Sequence, residues 1–432
     1  MVKMPHWPIP MGSKPIDLDL SRIKILLQAL GNPQNSLPAI IHVAGTNGKG
    51  STTAFLKAIF QAAGYKVHTY NSPHLVKFNE RIGILGTDIE DKFLYEVTEE
   101  CRIMAEKINL QPTFFEGTTA AAFLAFSKVK ADVVILEVGM GGRLDATNVI
   151  DNPAMSIITS ISLDHVEFLG DSLAKIAYEK GGVIKPNCPC VISQQYPEAM
   201  EMLLQTAKQN NSISYADEYD WTVFADNERN LVYESAAKTL KLPAPSLQGD
   251  HQYLNAGNAI TAALNLKQFE ISDQHIATGI TNAHWPARLQ KLKEGAIVNK
   301  LPKTWQIWVD GAHNEAGAHV LNLWLQDQPS IATYMIFGMT KGRNCQEFLA
   351  PFVDKIKHLA GVLIEAEPSS YGAEFIKMEA KKAGISASAC DSIDEALNEI
   401  VKIEKGPARI IVCGSLYLAG DFLQQNQSFS RS

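Results

Sequence analysis

Residues 45–50 read Gly-Thr-Asn-Gly-Lys-Gly, with Ser51 and Thr52 directly behind them. Glycines so closely spaced permit a tight turn that leaves backbone N–H groups bare. Such a turn at a helix N-terminus gathers unpaired donors and the positive end of the helix dipole, and these bind phosphate; Lys49 adds a full charge. The hydroxyls of Ser51 and Thr52 can then ligate magnesium. Spacing narrows the match. The common nucleoside-triphosphate loop has four residues between its first glycine and Gly-Lys, whereas here only Thr46 and Asn47 intervene between Gly45 and Gly48-Lys49. The loop is a shortened variant.

Further candidates lie past other strands. Residues 132–136 (DVVIL) are almost wholly apolar, as in a strand buried on both faces, and deliver Glu137 to its end. An acid so placed holds magnesium in nucleotide-binding sheets. Ser72 follows a predicted strand at 66–70, at the edge where open α/β sheets bind ligands, and could reach a metal; a serine opening a turn before Pro73 is the plainer reading. The run 155–161 ends in Ser162-Leu163-Asp164-His165, bringing an imidazole to the same edge, although a single histidine is more often structural. Phe114 and Phe115 fit a core, or one of them packs against a flat ligand ring. Lys180, ahead of two glycines, reads as a helix end whose charge matches the dipole.

These groups need a scaffold. Residues 39–44 are a short apolar, β-branched run; Phe55, Leu56, Ile59, Phe60 and Ala63 then recur at helical spacing, and Gly64 stands where a helix cap belongs. Upstream, Leu20, Ile23, Leu26, Leu27 and Leu30 trace a helical face closed by Gly31-Asn32-Pro33. Downstream, a hairpin is predicted over 220–234 and a helix over 249–264, with Asn255 near its start. The segment from His284 through the polar stretch 291–295 marks a domain boundary. Beyond it, strands are predicted at 305–309, 334–337, 362–364 and 409–412, and Ser392 with Glu395 forms a capping box. The expected fold class is α/β: a P-loop ATPase-type doubly wound sheet domain at 1–290, then a smaller Rossmann-like α/β domain at 296–432. The second domain lacks a phosphate loop and is expected to complete the site of the first.

Composition excludes several classes. The chain has 432 residues, beyond the size at which one core stops growing, and 46% hydrophobic content. No run approaches the roughly 20 apolar residues of a membrane span, and residues 1–15 carry prolines without an apolar targeting core. A cytoplasmic protein with no membrane partner is expected. The net charge of −7 argues against nucleic acid as a partner, and the six cysteines show no disulfide or zinc framework.

In order, these signals resemble the dihydrofolate synthase and folylpolyglutamate synthase family, within the Mur ligase superfamily. The likeness spans nearly the whole chain and is densest in HVAGTNGKGST (42–52), NSPHLVKFNERI (71–82), FFEGTT (114–119), EVGMGGRLDATN (137–148), SLDHVEFLG (162–170), EKGGVIKP (179–186), GDHQYLNA (249–256), DGAHN (310–314) and GSLYLAG (414–420). The resemblance implies an ATP-dependent acid–amino-acid ligase. It would join L-glutamate to 7,8-dihydropteroate, or to the glutamate tail of reduced folates, through an acyl phosphate. It implies that Gly45, Thr46, Asn47, Gly48, Lys49, Gly50, Ser51 and Thr52 hold ATP phosphates, with Asn255, Arg288, Asp310 and His313 on the nucleotide. Ser51, Ser72, Glu137 and His165 would ligate magnesium, two ions being expected. Lys49, Glu137, His165 and Lys180 form the expected catalytic set, Lys180 as an anionic carbamate. Pro73, Arg81, Phe115 and Asp145 would face the pterin-bearing substrate. A monomer is expected, with small molecules as its partners.

Three departures from the family pattern are visible: Ala287 stands for the glycine that usually precedes the linker arginine, Gly181 for an alanine, and an Asp-Lys-Asp is replaced around Thr340-Lys341-Gly342-Arg343. Two other readings fit the same loop. A cell-wall ligase acting on a UDP-muramyl peptide shares the loop but usually carries a further N-terminal domain. An ATP-binding regulator that has lost catalysis would keep the loop without the ligation.

Overall fold

The structure, a computed structural model, describes residue 7 and residues 18–365 and 367–427; most of the proline-bearing stretch 1–15 lies outside them. The chain divides into two compact units, residues 1–246 with 252–284, and residues 247–251 with 285–432.

The first unit is built on an eight-stranded sheet: β1 Ala39–Ala44, β2 Val67–Tyr70, β3 Ile82–Ile84, β4 Thr87–Asp88, β5 Val133–Glu137, β6 Met155–Ile158, β7 Cys190–Ile192 and β8 Ser214–Ala216. Their order is β4-β3-β2-β5-β1-β6-β7-β8, so four strands from separate parts of the sequence, β2, β5, β1 and β6, lie side by side at its centre. β1 pairs in parallel with β5 and β6, with Val43 opposite Glu137 and Ala44 opposite Ile158. The short strands β3 and β4 run antiparallel at one edge. β1 and β5 are buried almost throughout, as strands covered on both faces must be. One core joins Leu136 and Tyr70 to the helices Ser21–Ala29, Asp91–Lys107 and Phe114–Lys128. The helix Lys49–Ala62 packs against β1, β2 and β5, and also against Asp273–Asn282.

The hairpin predicted at 220–234 is the first part of a three-stranded antiparallel sheet, β9 Trp221–Ala225, β10 Leu231–Ser235 and β11 Lys238–Leu242. The helix Phe114–Lys128 starts at Phe114 because Thr113 Oγ1 accepts from Glu116 N while the Glu116 carboxylate accepts from Thr113 N.

The second unit has a six-stranded sheet, β12 Gln290–Leu292, β13 Gln306–Val309, β14 Ala332–Phe337, β15 His358–Val362, β16 Ala387–Cys390 and β17 Ala408–Cys413, in the order β12-β13-β17-β14-β15-β16. The segment read as a linker is partly strand, because β12 pairs antiparallel with β13 and so belongs to this sheet. The strand placed at 362–364 ends where it was expected to start. Residues 358–361 are poor in β-branched side chains, yet pairing with β14 on one side and β16 on the other holds them extended. The capping box at Ser392 is half formed: its hydroxyl accepts from Glu395 N, but Glu395 reaches Asp391 N instead.

All six cysteines are buried and free. No helix among the described residues is long and apolar enough to cross a membrane.

Candidate active site

The carboxyl ends of β2, β5, β1 and β6 bring four loops into one row. The β1 loop turns with Gly48 at φ +89°, and a side chain there would place Cβ 2.3 Å from Asn255 Oδ1, so glycine is required on both counts. The helix then begins at Lys49. Its first intrahelical bond runs from Thr52 N to Gly48 O, which leaves the amides of Lys49, Gly50 and Ser51 without helical acceptors at the positive end of the dipole. Two loop amides are already committed, since Thr46 N and Asn47 N both donate to Ser160 O. Thr46 Oγ1 and Asn47 Nδ2 tie the loop further to Ser162. Thr46 and Asn47 therefore brace the loop on β6, and the open donors lie at 49–51. Ser51 is buried at this turn, whereas the Thr52 hydroxyl is shut off inside the fold.

Two lysines converge on one carbonyl. Lys49 Nζ donates to Gly45 O and Thr46 O, each at 3.1 Å, and Lys180 Nζ donates to Gly45 O at 2.9 Å. Lys180 is 4% exposed, at the end of the helix Leu173–Gly181. Burial first, and the Lys49 charge second, pull its amine down to about 7, against weaker support from Asp164 and Asp145. These carbonyls stand where anionic oxygens would be better partners for two ammonium groups.

Glu137 is 5% exposed, and its Oε2 accepts weakly from Ser72 N at 3.4 Å. Ser72 Oγ accepts from Arg81 Nη1 at 3.3 Å, and Ser72–Pro73 is a cis peptide. Arg81 is buried between the Phe78 and Phe114 rings, its Nε donating to His74 Nδ1 at 2.8 Å. Burial and the Arg81 charge hold His74 down to about 4, so the ring is neutral and carries its proton on Nε2. The structure thus joins Ser72, Arg81 and Glu137 in one connected cluster. His165, in left-handed backbone on the β6 loop, sits more openly, with Nε2 3.9 Å from Asp164 Oδ1. The Glu137 carboxylate and the Ser72 hydroxyl are oxygen donors of the kind a hard divalent cation takes; among the described residues no three His, Cys, Asp or Glu side chains are grouped to hold a metal ion.

The two phenylalanines divide the roles offered to them. Phe114 packs edge-on against Phe78 and beneath Arg81; Phe115 lies against Tyr70 and over Gly139, where a Cβ would come within 2.5 Å of its ring. Asp145 is saturated: it accepts from Gly139 N, Met140 N, Thr147 N and Thr147 Oγ1 at 3.1, 3.0, 3.0 and 2.5 Å. Its carboxylate organises the 139–147 loop from within. Sequence reading passed over the two residues behind it: the Thr147 hydroxyl, donating to Asp145, accepts from His42 Nε2 at 2.9 Å. The threonine two residues past an aspartate was the available signal.

In the second unit, Asp310 at the end of β13 accepts from Leu289 N and Ala312 N, both at 2.7 Å, and burial raises its carboxyl even with Arg288 beside it. His313 Nδ1 donates to Gly311 O at 2.7 Å. Arg343, in the segment that departs from the family pattern, donates to His313 O at 2.8 Å. Ala287 takes φ +55° and Leu289 φ +43° on either side of Arg288, which accounts for the glycine usual at 287.

A glycine loop and a strand-end acid on adjacent strands, followed by a smaller α/β unit, define the class. Residues 43–263 match the family model of the Mur ligase middle domain, and residues 296–425 that of the dihydrofolate synthetase C-terminal domain. The dihydrofolate synthase/folylpolyglutamate synthase of Bacillus subtilis is 32% identical over 441 aligned positions, covering 96% of each chain. Among solved structures, E. coli FolC in complex with DHPP and ADP superposes with a TM-score of 0.86 at 29% identity, covering 95% of this chain and 94% of that one. A bifunctional folylpolyglutamate synthase/dihydrofolate synthase with Mn, AMPPNP and L-glutamate bound superposes with a TM-score of 0.84 at 28% identity, covering 95% and 94%. The chain belongs to the dihydrofolate synthase/folylpolyglutamate synthase family.

Proposed function

We propose that this chain is an ATP-dependent ligase that joins L-glutamate to dihydropteroate, or to the glutamate tail of reduced folates, through an acyl phosphate. The observation that carries the reading is Glu137: a buried carboxylate at the end of β5, beside the Lys49 loop and against Ser72. The ligands named for the two solved relatives, ADP with DHPP and AMPPNP with Mn and L-glutamate, are those such a reaction calls for.

A carboxylate is a poor electrophile and repels the γ-phosphate, so positive charge must offset that repulsion as the phosphoryl group moves. Lys49 and the amides at 49–51 supply it at the loop. Glu137, Ser72 and His165 would hold a divalent ion, with Ser51 close to the phosphates, and the ion when bound neutralises part of the triphosphate charge. Asn255 stands against the loop glycine, while Arg288, Asp310 and His313 form the nucleotide-contacting group of the second unit. Pro73, Arg81 and Phe115 line the place for the pteroyl acid, and the saturated Asp145 shapes the loop beneath it.

Lys180 has a further part. An amine held at about 7 is substantially unprotonated near neutral pH, and its lone pair can add to the carbon of CO2 while an N–H proton leaves to water. The resulting carbamate anion relieves the repulsion from Lys49 and offers oxygens to a second divalent ion.

Lys49→Ala and Glu137→Gln each abolish ATP-dependent ligation while leaving circular dichroism and thermal unfolding close to wild type. Phosphate release should require both glutamate and a pteroyl acid, with dihydropteroate and tetrahydrofolate assayed separately. Wild-type turnover in either variant would overturn the central assignment, and phosphate release independent of glutamate would overturn the ligation.

A further inference from the structure

The loop 71–81 that carries Ser72, Pro73 and Arg81 is wrapped around a side chain given no part in the chemistry. The Glu80 carboxylate accepts from three consecutive backbone amides: Leu75 N at 2.7 Å, Val76 N at 3.0 and 3.3 Å to its two oxygens, and Lys77 N at 2.7 Å. Three successive N–H groups converging on one point form an anion-binding concavity, and here the protein fills it with its own anion. The main chain on either side is fastened by the same residue and its neighbours. Asn71 Nδ2 donates to Glu80 O, Asn71 N donates to Arg81 O, and Glu80 N donates to Lys77 O.

We infer that Glu80 is a positioning residue for the ligation: its carboxylate folds the 75–77 backbone so that Ser72 meets Glu137 through its N–H and Arg81 through its Oγ. Ser72 and Arg81 are nine residues apart and meet at 3.3 Å. Arg81 Nε reaches His74 Nδ1 at 2.8 Å only while residues 74–77 curl back over Glu80. Charge-assisted bonds to backbone amides are about twice as strong as neutral ones, so a single carboxylate suffices to hold the curl. Glutamine cannot replace it, because one of its two terminal atoms is a donor and would face amide donors. The two ends of the loop serve different ligands, the metal at Ser72 and the pteroyl acid at Arg81, and Glu80 fixes both together. This inference rests on the roles proposed above for Ser72 and Arg81.

The test compares Glu80→Ala and Glu80→Gln with Ser72→Ala and Arg81→Lys in the full-length enzyme. Both Glu80 variants are expected to raise KM for the pteroyl acid and the Mg2+ concentration giving half-maximal rate, each by about tenfold, the size of one lost charge-assisted bond. ADP affinity measured calorimetrically in EDTA should stay within about twofold, since the Lys49 loop is untouched. Sodium formate, small enough for the vacated concavity, should partly restore both constants in Glu80→Ala but not in Glu80→Gln, whose side chain fills the space. If Glu80→Ala is not recovered folded, Glu80→Gln carries the test. Wild-type constants in the Glu80 variants while Ser72→Ala and Arg81→Lys are impaired would overturn the positioning role. Wild-type constants in Ser72→Ala and Arg81→Lys would instead overturn the roles on which it rests. Equal weakening of metal, acid and metal-free ADP binding would also overturn it, by showing only a general loss of structure.

Discussion

Replacing Lys180 by methionine should stabilise the protein while destroying its activity, and the size of that gain should depend on pH. The amine falls from an ordinary 10.5 to about 7 because it is buried and faces Lys49. The folded state therefore disfavours its charged form by about 5 kcal/mol, at roughly 1.36 kcal/mol per tenfold change in proton affinity. Methionine removes that penalty but also loses the bond to Gly45 O, worth about 1–3 kcal/mol for a charged donor, leaving a net gain of about 2–4 kcal/mol. The sign follows from proton linkage. Below about pH 7 both states carry the proton and the wild-type penalty is complete; between about 7 and 10.5 the unfolded chain binds more protons, so wild-type stability climbs with pH; above that window the penalty is gone. Denaturant titrations in CO2-free buffer at about pH 6, 8 and 10 should show the variant's advantage greatest at the lowest pH and lost at the highest. Bicarbonate should stabilise the wild type, as the carbamate forms, and leave the variant unmoved. A variant no more stable than wild type near pH 6, or an advantage that does not change with pH, would refute the reasoning.

Two other changes probe the second unit. Ala287→Gly should stabilise it by about 0.5–1 kcal/mol in urea unfolding, the relief of left-handed backbone at φ +55° outweighing the added chain entropy of glycine. Asn426→Ala should destabilise it by about 2–4 kcal/mol in the same measurement. The Asn426 side-chain oxygen accepts from Ile297 N and Val298 N and its amide donates to Glu294 O, so the substitution strands groups of which Ile297 N is buried.

How far the sequence reached differs from group to group. The turn at 45–50 was legible because the requirement is local: glycines for the positive φ at 45 and 48, and a helix directly behind. Glu137 was legible because a fully apolar strand announces its own end. The strand at 358–362 was misplaced, since its extended form comes from neighbours on both sides and not from its own side chains. Nor did the sequence show that Thr46 and Asn47 spend their amides on Ser160, because that bond joins loops more than a hundred residues apart.

By itself, then, the amino-acid sequence determined the two α/β folds, the shortened glycine loop and the family, all of which rest on short-range spacing and on motifs in a fixed order. Only the tertiary structure decided which groups are free to act. It showed Lys180 drawn onto Gly45 beside Lys49, Asp145 consumed by its own loop, and Glu80 enclosed by three amides. Availability depends on burial, partners and distance, and these are set when β2, β5, β1 and β6, scattered along the chain, are laid side by side.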